Sequence, residues 1–374
     1  MPVTINRKEF LSAITTAGKF ADHKSVYSQI CIDLKSRNSV RAFSCEGAFE
    51  QKIKRVHDEG ECPPFEIHAA QLSKIFNKSK SERITLDMPE PSWLQVSDDK
   101  GATFHVVVHE KDDMPVMDVF DTPTVLVMVK PAHIEAMLRY RAHVDDKRPH
   151  VHGFYLSGKD KAILGTNGNI LFAGKNDSIP DDMRVMISRR AFANMPKDMA
   201  TSGDVQIRVS MFDGDEEDRD KFQPRYEIFN ENVTIHGFCS YGSFPDVSDL
   251  FSNTENFDSV YVDADAMRYA VNQTFGILDM VDYKSAILDF NETRFSIGAT
   301  NPNTGEFRPF EVQYKNDVTG IHTETAFNPD YLMKAIAGVK AGGEVNIRVP
   351  RDCNNPASII YQDQTTVIMP MRMD

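Results

Sequence analysis

The sequence predicts an α+β protein in which a domain of about 120 residues, with two helices packed on antiparallel sheet, is repeated three times. Three observations support this prediction: one helix type recurs three times, a second strand–turn–helix–strand unit also recurs three times, and the spacings between them match. The chain of 374 residues is long enough for two or three domains, and 41% hydrophobic residues suffice for packed cores.

The first recurring element is a helix with apolar residues at its first, fourth and fifth positions. Its copies are "FLSAITTAG", "IEAMLRYRA" and "MRYAVNQTF", and each follows a short extended apolar stretch. This spacing places the apolar side chains on one face of a helix. We therefore expect a strand followed by an amphipathic helix near the start of each repeat.

The second recurring element runs from a strand through a polar turn into a helix, and then into another strand. Its copies are "FEIHAAQLSKIF", "RVMISRRAFANM" and "ETAFNPDYLMKAI", followed by "ITLDM", "VQIRV" and "VNIRV". Asn328 followed by Pro329 in the third copy is typical of a helix start. The two strands of each copy are 17, 18 and 18 residues apart.

The distance from the first helix type to the second is also preserved, at 57, 53 and 60 residues. These spacings predict three domains, at residues 1–122, 127–252 and 258–374. Polar, turn-rich segments near "DVFDTP" and "FSNTENFDS" would join them. Between the helices, stretches such as "SAILDFNETRFSIGAT" indicate strands joined by Gly, Asn and Asp turns.

Composition excludes several classes of protein. No run of residues approaches the roughly 18 apolar residues of a membrane span, and the first ten residues do not resemble a secretory signal. The five cysteines are scattered and form no CxxC pair, which favours reduced thiols. We therefore expect a cytoplasmic protein.

The net charge of −13 argues against a phosphate-binding surface, but the charge is unevenly distributed. The predicted helices, in the windows 8–20, 70–80, 131–148, 188–198, 264–276 and 329–340, carry a net charge of +8, which leaves −21 for the rest of the chain. This asymmetry favours basic helix surfaces within an acidic shell. Lys and Arg on ordinary solvated helices are the alternative interpretation.

The sequence resembles the β sliding clamp of bacterial DNA polymerase III. The resemblance rests on the triple domain, on "GTNGNILFAG", "SYGSFPDV" and "FNPDYLMKAI", and above all on the ending "VIMPMRM". It covers the whole chain, which is otherwise divergent from the family. Origin in a phage, a plasmid or a distant bacterium would be consistent with that divergence.

The resemblance implies a fold of three repeated DNA-clamp domains that form a head-to-tail ring dimer. It implies a protein that is not an enzyme and has no cofactor. Its expected partners are a second copy of the chain, double-stranded DNA held without sequence preference in the ring lumen, DNA polymerase, a clamp loader that uses ATP, and other proteins with clamp-binding peptide motifs.

The resemblance also implies a pocket for partner peptides, in which the apolar chain end "TTVIMPMRMD" forms one wall. Methionine suits such a pocket because it is flexible and fits several partners. Short peptides with Leu and Phe anchors would dock there. By position, the pocket residues are Val151, Thr166, Gly168, Ile170, Leu171, Phe244, Pro245, Leu250, Tyr283, Asn328, Tyr331, Val367, Met369, Pro370, Met371 and Arg372.

Two further sets of residues follow from the resemblance and from the helix charges. The DNA-facing candidates are Lys24, Arg148, Arg189 and Lys197. The candidates for the dimer interface are Phe104, Val106, Ile277 and Leu278. Ordinary core positions are an equally good interpretation of the second set.

Two other functions compete with the clamp. "RAHVDDKRPHVH" gathers His143, Asp145, Asp146, His150 and His152, which could bind a metal and support a metal-dependent hydrolase. "DGDEEDRD" lacks the ligand order of a calcium loop, and "GTNGN" lacks the Lys of a phosphate loop. A clamp-shaped scaffold or decoy that binds replication proteins without encircling DNA is the other alternative.

Overall fold

The structure is a computed structural model of the chain. It describes the residues numbered 2–21, 28–44, 47–56, 60–110, 124–141, 144, 147–196, 199, 203, 205–210, 223–240, 244–252, 256–278, 284–301 and 305–372.

Seven α-helices occur among the described residues, and none of them is long and apolar enough to cross a membrane. Asn6 caps the first helix by accepting a hydrogen bond from the Glu9 N–H at 3.0 Å. The predicted apolar face is confirmed there, because Phe10, Ala13 and Ile14 are fully buried. The helices are α1 (Arg7–Phe20), α2 (Ala69–Lys78), α3 (Pro131–Tyr140), α4 (Arg189–Ala193), α5 (Ser248–Ser252), α6 (Ala264–Leu278) and α7 (Pro329–Ile336).

Twenty-five strands occur in the described part of the chain, and the pairs within the sheets given below are antiparallel. They are β1 (Val3–Asn6), β2 (Ile30–Asp33), β3 (Ser39–Ser44), β4 (Gly47–Lys52), β5 (Phe65–Ile67), β6 (Arg83–Glu90), β7 (Trp93–Asp98), β8 (Thr103–Val107), β9 (His109–Glu110), β10 (Thr124–Val129), β11 (Gly153–Ser157), β12 (Ala162–Thr166), β13 (Ile170–Lys175), β14 (Arg184–Ser188), β15 (Val205–Ser210), β16 (Arg225–Phe229), β17 (Val233–Ser240), β18 (Phe257–Asp263), β19 (Ala286–Phe290), β20 (Arg294–Asn301), β21 (Gly305–Gln313), β22 (Thr323–Phe327), β23 (Glu344–Pro350), β24 (Ala357–Tyr361) and β25 (Gln364–Ile368).

Contacts within the chain divide it into two compact units. Unit 1 comprises Met1–Pro131 and Arg190–Ser240. It contains a small sheet of order β1-β6-β7-β8 and a large one of order β9-β5-β2-β3-β4-β17-β16-β15-β10. Helices α1 and α2 pack against each other, with the rings of Phe10 and Phe76 5.3 Å apart.

Unit 2 comprises Ala132–Arg189 and Tyr241–Asp374. Its large sheet has the order β14-β11-β12-β13-β25-β24-β23-β18, and its small sheet has the order β22-β19-β20-β21. Helix α3 lies on the large sheet, where Tyr140 stacks on Phe172 at 5.0 Å. Arg268 of α6 donates to the carbonyl of Ile336, at the end of α7, at 3.2 Å, and to that of Val339 at 2.9 Å.

The strand order repeats three times along the chain. One set of sheets is β1-β6-β7-β8, β10-β15-β16-β17 and β18-β23-β24-β25, and the other is β5-β2-β3-β4, β14-β11-β12-β13 and β22-β19-β20-β21. In every repeat the first strand (β1, β10 or β18) leads into a first helix (α1, α3 or α6). The strand paired with it (β6, β15 or β23) follows a second helix (α2, α4 or α7). The second repeat contributes strands to both compact units.

Candidate functional site

The floor of the candidate site is the junction of β13 with β25 in unit 2. Leu171 pairs with Val367 and Ile170 with Ile368 across this junction. Leu171 and Val367 also belong to a buried apolar cluster with Tyr155, Ala162, Leu164, Ala173, Met186 and Val247. The floor is therefore closed and apolar.

The turn between β12 and β13 forms one wall. Thr166 Oγ1 accepts a hydrogen bond from the Gly168 N–H at 2.9 Å and donates to the Ile170 carbonyl at 2.7 Å. Asn167 Oδ1 accepts from the N–H groups of Asn169 and Ile170 at 3.0 and 3.1 Å. These four bonds fix the backbone of the turn, in which Gly168 has a φ of +88°.

The end of the chain forms a second wall. The Met369 N–H donates to the Asn169 carbonyl at 2.9 Å, and the Met371 N–H donates to the Ala326 carbonyl at 2.7 Å. Pro370 lies between them and has no N–H to donate. Met369 is 39% exposed, whereas Pro370 and Met371 are half-buried. The chain end is therefore held at two points by backbone hydrogen bonds but keeps apolar surface accessible.

The start of α7 forms the third wall. Asn328 caps the helix by accepting from the Asp330 N–H at 2.9 Å, and Pro329 occupies the first turn. Tyr331 is half-buried, and its hydroxyl accepts a hydrogen bond from Asn167 Nδ2 at 3.3 Å. This bond connects the helix to the β12–β13 turn.

The segment from Phe244 to Phe251 completes the site. The ring of Phe244 stacks on Tyr155, with centroids 5.1 Å apart and planes 5° from parallel. Leu250 and Phe251 are half-buried against the same apolar cluster, and Pro245 is exposed. We call the space bounded by the three walls and this segment the groove.

The structure places all of the described pocket candidates in unit 2. Val151 lies in a 3₁₀ turn, Pro149–Val151, and is only 2% exposed, so its side chain offers almost no surface to a ligand. Tyr283 lies outside the described residues. Arg372 is exposed next to Met371, at the wall formed by the chain end.

Sequence reasoning missed several residues of the groove and its floor, among them Asn167, Tyr155, Val247 and Phe251. Of these, only Asn167 could have been recognised from the sequence. The run Asn167–Gly168–Asn169 is typical of a turn that an Asn side chain stabilises. The other three are recognised only once the strands are paired.

Two of the four DNA-facing candidates, Arg148 and Arg189, are among the residues that the structure describes. Arg148 is exposed, and its guanidinium donates to the Asn167 carbonyl, so it lies against the groove's turn. Arg189 is half-buried and donates to the Val144 carbonyl at 3.2 Å. Lys24 and Lys197 lie outside the described residues.

The four candidates for the dimer interface differ in exposure. Phe104 is 37% exposed at the free edge of a sheet, and Ile277 is half-buried near the end of α6. Val106 and Leu278, at 3% and 2% exposure, are packed inside their own units. These two side chains therefore cannot offer surface to a second protomer without rearrangement.

The predicted metal ligands lie only partly in the described region. His150 is exposed and His152 is half-buried, whereas His143, Asp145 and Asp146 lie outside the described residues, as does the acidic stretch Asp213–Asp220. Within the described ranges no group of three or more potential ligands occurs.

Comparison with solved structures identifies the fold. The chain is similar along its whole length to a DNA polymerase sliding clamp of Pseudomonas aeruginosa (18% identity, TM-score 0.76), to DNA polymerase III subunit β of Borrelia burgdorferi (16%, 0.79), and to a β clamp of Helicobacter pylori bound to a DNA ligase peptide (14%, 0.75), with 100% of both chains covered each time. No protein-family model and no curated protein matches the sequence. The fold is therefore that of the bacterial sliding clamps, as the sequence predicted.

Proposed function

We propose that the protein is a DNA sliding clamp, a processivity factor that encircles duplex DNA and tethers the replicative polymerase and other proteins with clamp-binding peptides. The observation that carries the proposal is the threefold strand order. Within the described residues, this order leaves an unpaired sheet edge in the first repeat, on β8, and another in the third repeat, on β21.

The repeats are joined by the same kind of strand pair each time. The last strand of one sheet meets the last strand of the next, as β4 with β17 and β13 with β25. An equivalent pair between β21 of one protomer and β8 of another would continue the series. Two such joints would close a head-to-tail homodimer of six domains, three from each chain, at residues 1–122, 127–252 and 258–374.

Apolar surface at the two edges supports this joint. Phe104 and Val107 on β8 are 37% and 55% exposed, and Ile277 is half-buried near the end of α6. Because an unpaired edge with exposed apolar side chains favours pairing with another strand, natural proteins cover such edges. A second protomer is the cover that closes a ring.

Loose contact with DNA is supported by the charge of the helices. Lys74 and Lys78 are exposed one turn apart on α2, and Lys8 and Lys19 are exposed on α1. Contacts between lysines and phosphates carry no sequence information and are sensitive to salt. Such a surface can hold duplex DNA and still allow movement along it.

The groove supports the tethering function. Its floor is apolar and buried, and its walls keep partly exposed apolar side chains accessible, which suits Leu and Phe anchors of a peptide. The Helicobacter pylori clamp of the same fold is bound to a DNA ligase peptide. The proposed role needs no catalytic residue and no cofactor, because a separate loader would supply the ATP-dependent opening.

Topology provides the decisive experiment. The protein would be loaded on a nicked circular plasmid with a bacterial clamp loader and ATP, isolated by gel filtration, and treated with a restriction enzyme that cuts once. A clamp that encircles DNA stays on the circle and leaves after linearisation. Equal retention before and after cutting would contradict encirclement. Peptide binding with no retention at all would favour the scaffold alternative.

A further inference from the structure

The groove has an acidic side next to Phe244 and Leu250. Lys159 Nζ donates to Asp246 Oδ2 at 2.8 Å, and Asp246 Oδ1 accepts from Ser248 Oγ at 2.6 Å and from the Ser248 N–H at 3.0 Å. Asp249 follows on α5 and is exposed. We call Asp160, Asp246 and Asp249, with the ammonium of Lys159 between them, the acidic rim.

The acidic rim has more carboxylates than it has positive charges. The hydrogen bond to Asp246 raises the pKa of Lys159, and the charges of Asp246, Asp160 and Asp249 raise it further, so all three carboxylates act on the same ammonium. Hydrogen bonds from Lys159 and Ser248 hold the pKa of Asp246 below its usual value, which keeps that carboxylate charged at neutral pH. Three carboxylates therefore act on the single ammonium of Lys159.

The basic residues of the groove belong to other segments. Arg148 lies beside the β12–β13 turn, with its guanidinium donating to the Asn167 carbonyl, and Arg372 follows Met371 in the wall formed by the chain end. Within the acidic rim itself, Lys159 supplies the positive charge for all three carboxylates. The excess negative charge next to Phe244 and Leu250 is thus available to a bound partner.

We propose that the acidic rim makes the groove select partner peptides that carry Lys or Arg beside their Leu and Phe anchors. This inference rests on the proposed peptide-binding function of the groove. A basic flanking residue would approach Asp249 and Asp246, whereas an acidic one would be repelled by the same carboxylates. Burial of the Leu and Phe anchors contributes equally to the affinity of all such peptides. The acidic rim distinguishes peptides with basic flanking residues from those with acidic ones.

The expected discrimination is moderate, because the rim is open to solvent. Ion pairs between exposed groups are weak, so two flanking charges should change the dissociation constant by roughly three- to tenfold in total. Salt screens charges that are exposed in this way, and the Debye length falls to about 3 Å at 1 M ionic strength. The preference should therefore fade as salt is added.

The test uses two fluorescently labelled peptides with the same Gln-Leu-Ser-Leu-Phe core. One carries two lysines next to the core and the other carries two glutamates, and the binding of each to the full-length protein is measured by anisotropy at 0.05 M and 0.5 M NaCl. We expect the lysine peptide to bind roughly three- to tenfold tighter at low salt and about equally at high salt. Equal binding of both peptides at low salt would overturn the inference and leave the proposed function intact. Binding of neither would instead contradict the proposed function, and the inference with it.

Two isosteric variants locate the effect. Asp249→Asn removes one charge of the acidic rim, and it should reduce the ratio of the two dissociation constants at least twofold. The matched control is Asp317→Asn, at an exposed aspartate of the same unit in the connection between β21 and β22. If Asp317→Asn reduces the ratio of the two dissociation constants as much as Asp249→Asn does, the preference for the lysine peptide depends on net charge alone. That result would overturn the assignment of the preference to the acidic rim.

Discussion

Gly168 fixes the shape of the turn at the groove. Its φ of +88° lies in the left-handed region, and a Cβ added there would lie 3.2 Å from a guanidinium nitrogen of Arg148. Arg148 would have to move by a few tenths of an ångström to accommodate a methyl group. A substitution at this residue therefore changes both backbone strain and the position of Arg148.

We predict that Gly168→Ala lowers the free energy of unfolding by roughly 1 kcal/mol and also weakens peptide binding. Gly320→Ala is the matched control, because Gly320 has a φ of +77° and nothing within 4 Å of an added Cβ. Urea denaturation should give a similar loss of stability for both variants. Calorimetry with a Leu/Phe peptide should show weaker binding for Gly168→Ala only, and equal affinities would contradict this role for the turn.

His236 is a half-buried titratable residue of unit 1. Burial lowers the pKa of His236 from 6.5 to about 4, and the positive charge of Arg208 acts in the same direction, whereas Glu50 opposes it. His236 Nε2 also lies 3.8 Å from Glu227 Oε1, a carboxyl whose own pKa is raised by burial. Burial dominates, so the imidazole is neutral in the folded protein at neutral pH.

We predict a loss of stability in acid that depends on His236. Between pH 6.5 and about 4 the unfolded chain binds a proton at this residue and the folded chain does not. Stability is therefore complete above pH 6.5 and falls by up to about 3 kcal/mol as the pH drops through 4. Urea denaturation of the wild type and of His236→Gln at pH 7.0, 5.5 and 4.5 measures this. Parallel losses in the two proteins would exclude His236 as the cause.

At the scale of the element, the last strand does two things. β25 completes the large sheet of unit 2 between β13 and β24, and its continuation forms a wall of the groove. An apolar chain end that packs on one side only is suited to cover a partner's side chain on the other. Met369, at 39% exposure, is the clearest example of such a side chain.

We predict that deleting residues 371–374 leaves the protein folded and reduces peptide affinity at least about tenfold, which corresponds to roughly 1.4 kcal/mol. Met369→Ser should also weaken peptide binding, because the side chain loses apolar area in the groove. Met128→Ser is its control, since Met128 has nearly the same exposure, 40%, on β10 of unit 1. Unchanged affinity after the truncation would mean that the chain end only completes the core.

The free edges of β8 and β21 can be tested by complementation. We predict that Phe104→Lys and Ile277→Asp each give monomers, because a homodimer of either variant would bury an unpaired charge at both joints. An equimolar mixture should recover dimers. A mixed dimer has one unmodified joint and one joint in which the lysine introduced into one chain would face the aspartate introduced into the other.

Sedimentation equilibrium measures the outcome, with a chain mass of 42.2 kDa for the monomer and twice that for the dimer. Leu126→Lys, at a side chain that is 45% exposed on β10, is the control and should remain dimeric. Dimers in each single variant would place the joint elsewhere. Monomers that fail to recover on mixing would contradict head-to-tail pairing through these residues.

At the scale of the whole molecule, the separation of charge decides how the protein would interact with DNA. The total charge is −13, yet the exposed face of α2 carries Lys74 and Lys78. Arg148 and Arg189 both donate to backbone carbonyls, so their substitution would also disturb local structure. The two lysines of α2 are therefore a cleaner test of the basic surface.

We predict that Lys74→Glu with Lys78→Glu impairs loading on primed circular DNA and leaves dimerisation intact. The reversed charges repel phosphates, so the defect should be largest at low salt. Lys52→Glu with Lys54→Glu is the matched control, with two exposed lysines that lie outside the helices. If both double variants load equally well, the positive charge of α2 does not contribute to holding the DNA.

Much of the fold could be predicted from the sequence because its signals are local. The burial of Phe10, Ala13 and Ile14 follows from their spacing alone, and the capped start of α7 follows from Asn328 and Pro329. The groove was predicted largely through the resemblance of "VIMPMRM" to a known family. Val151 was assigned to its lining, and in the structure its side chain is only 2% exposed.

The sequence by itself determined the threefold repeat, the helix faces and the apolar chain end, since each is a pattern within a short stretch of chain. Only the tertiary structure decided that β4 pairs with β17 and β13 with β25, and that Val106 and Leu278 are buried. Helix periodicity is set by residues three and four apart, whereas strand pairs join residues far apart in the chain. The composition of a strand does not specify its partner, and burial depends on what that partner brings with it.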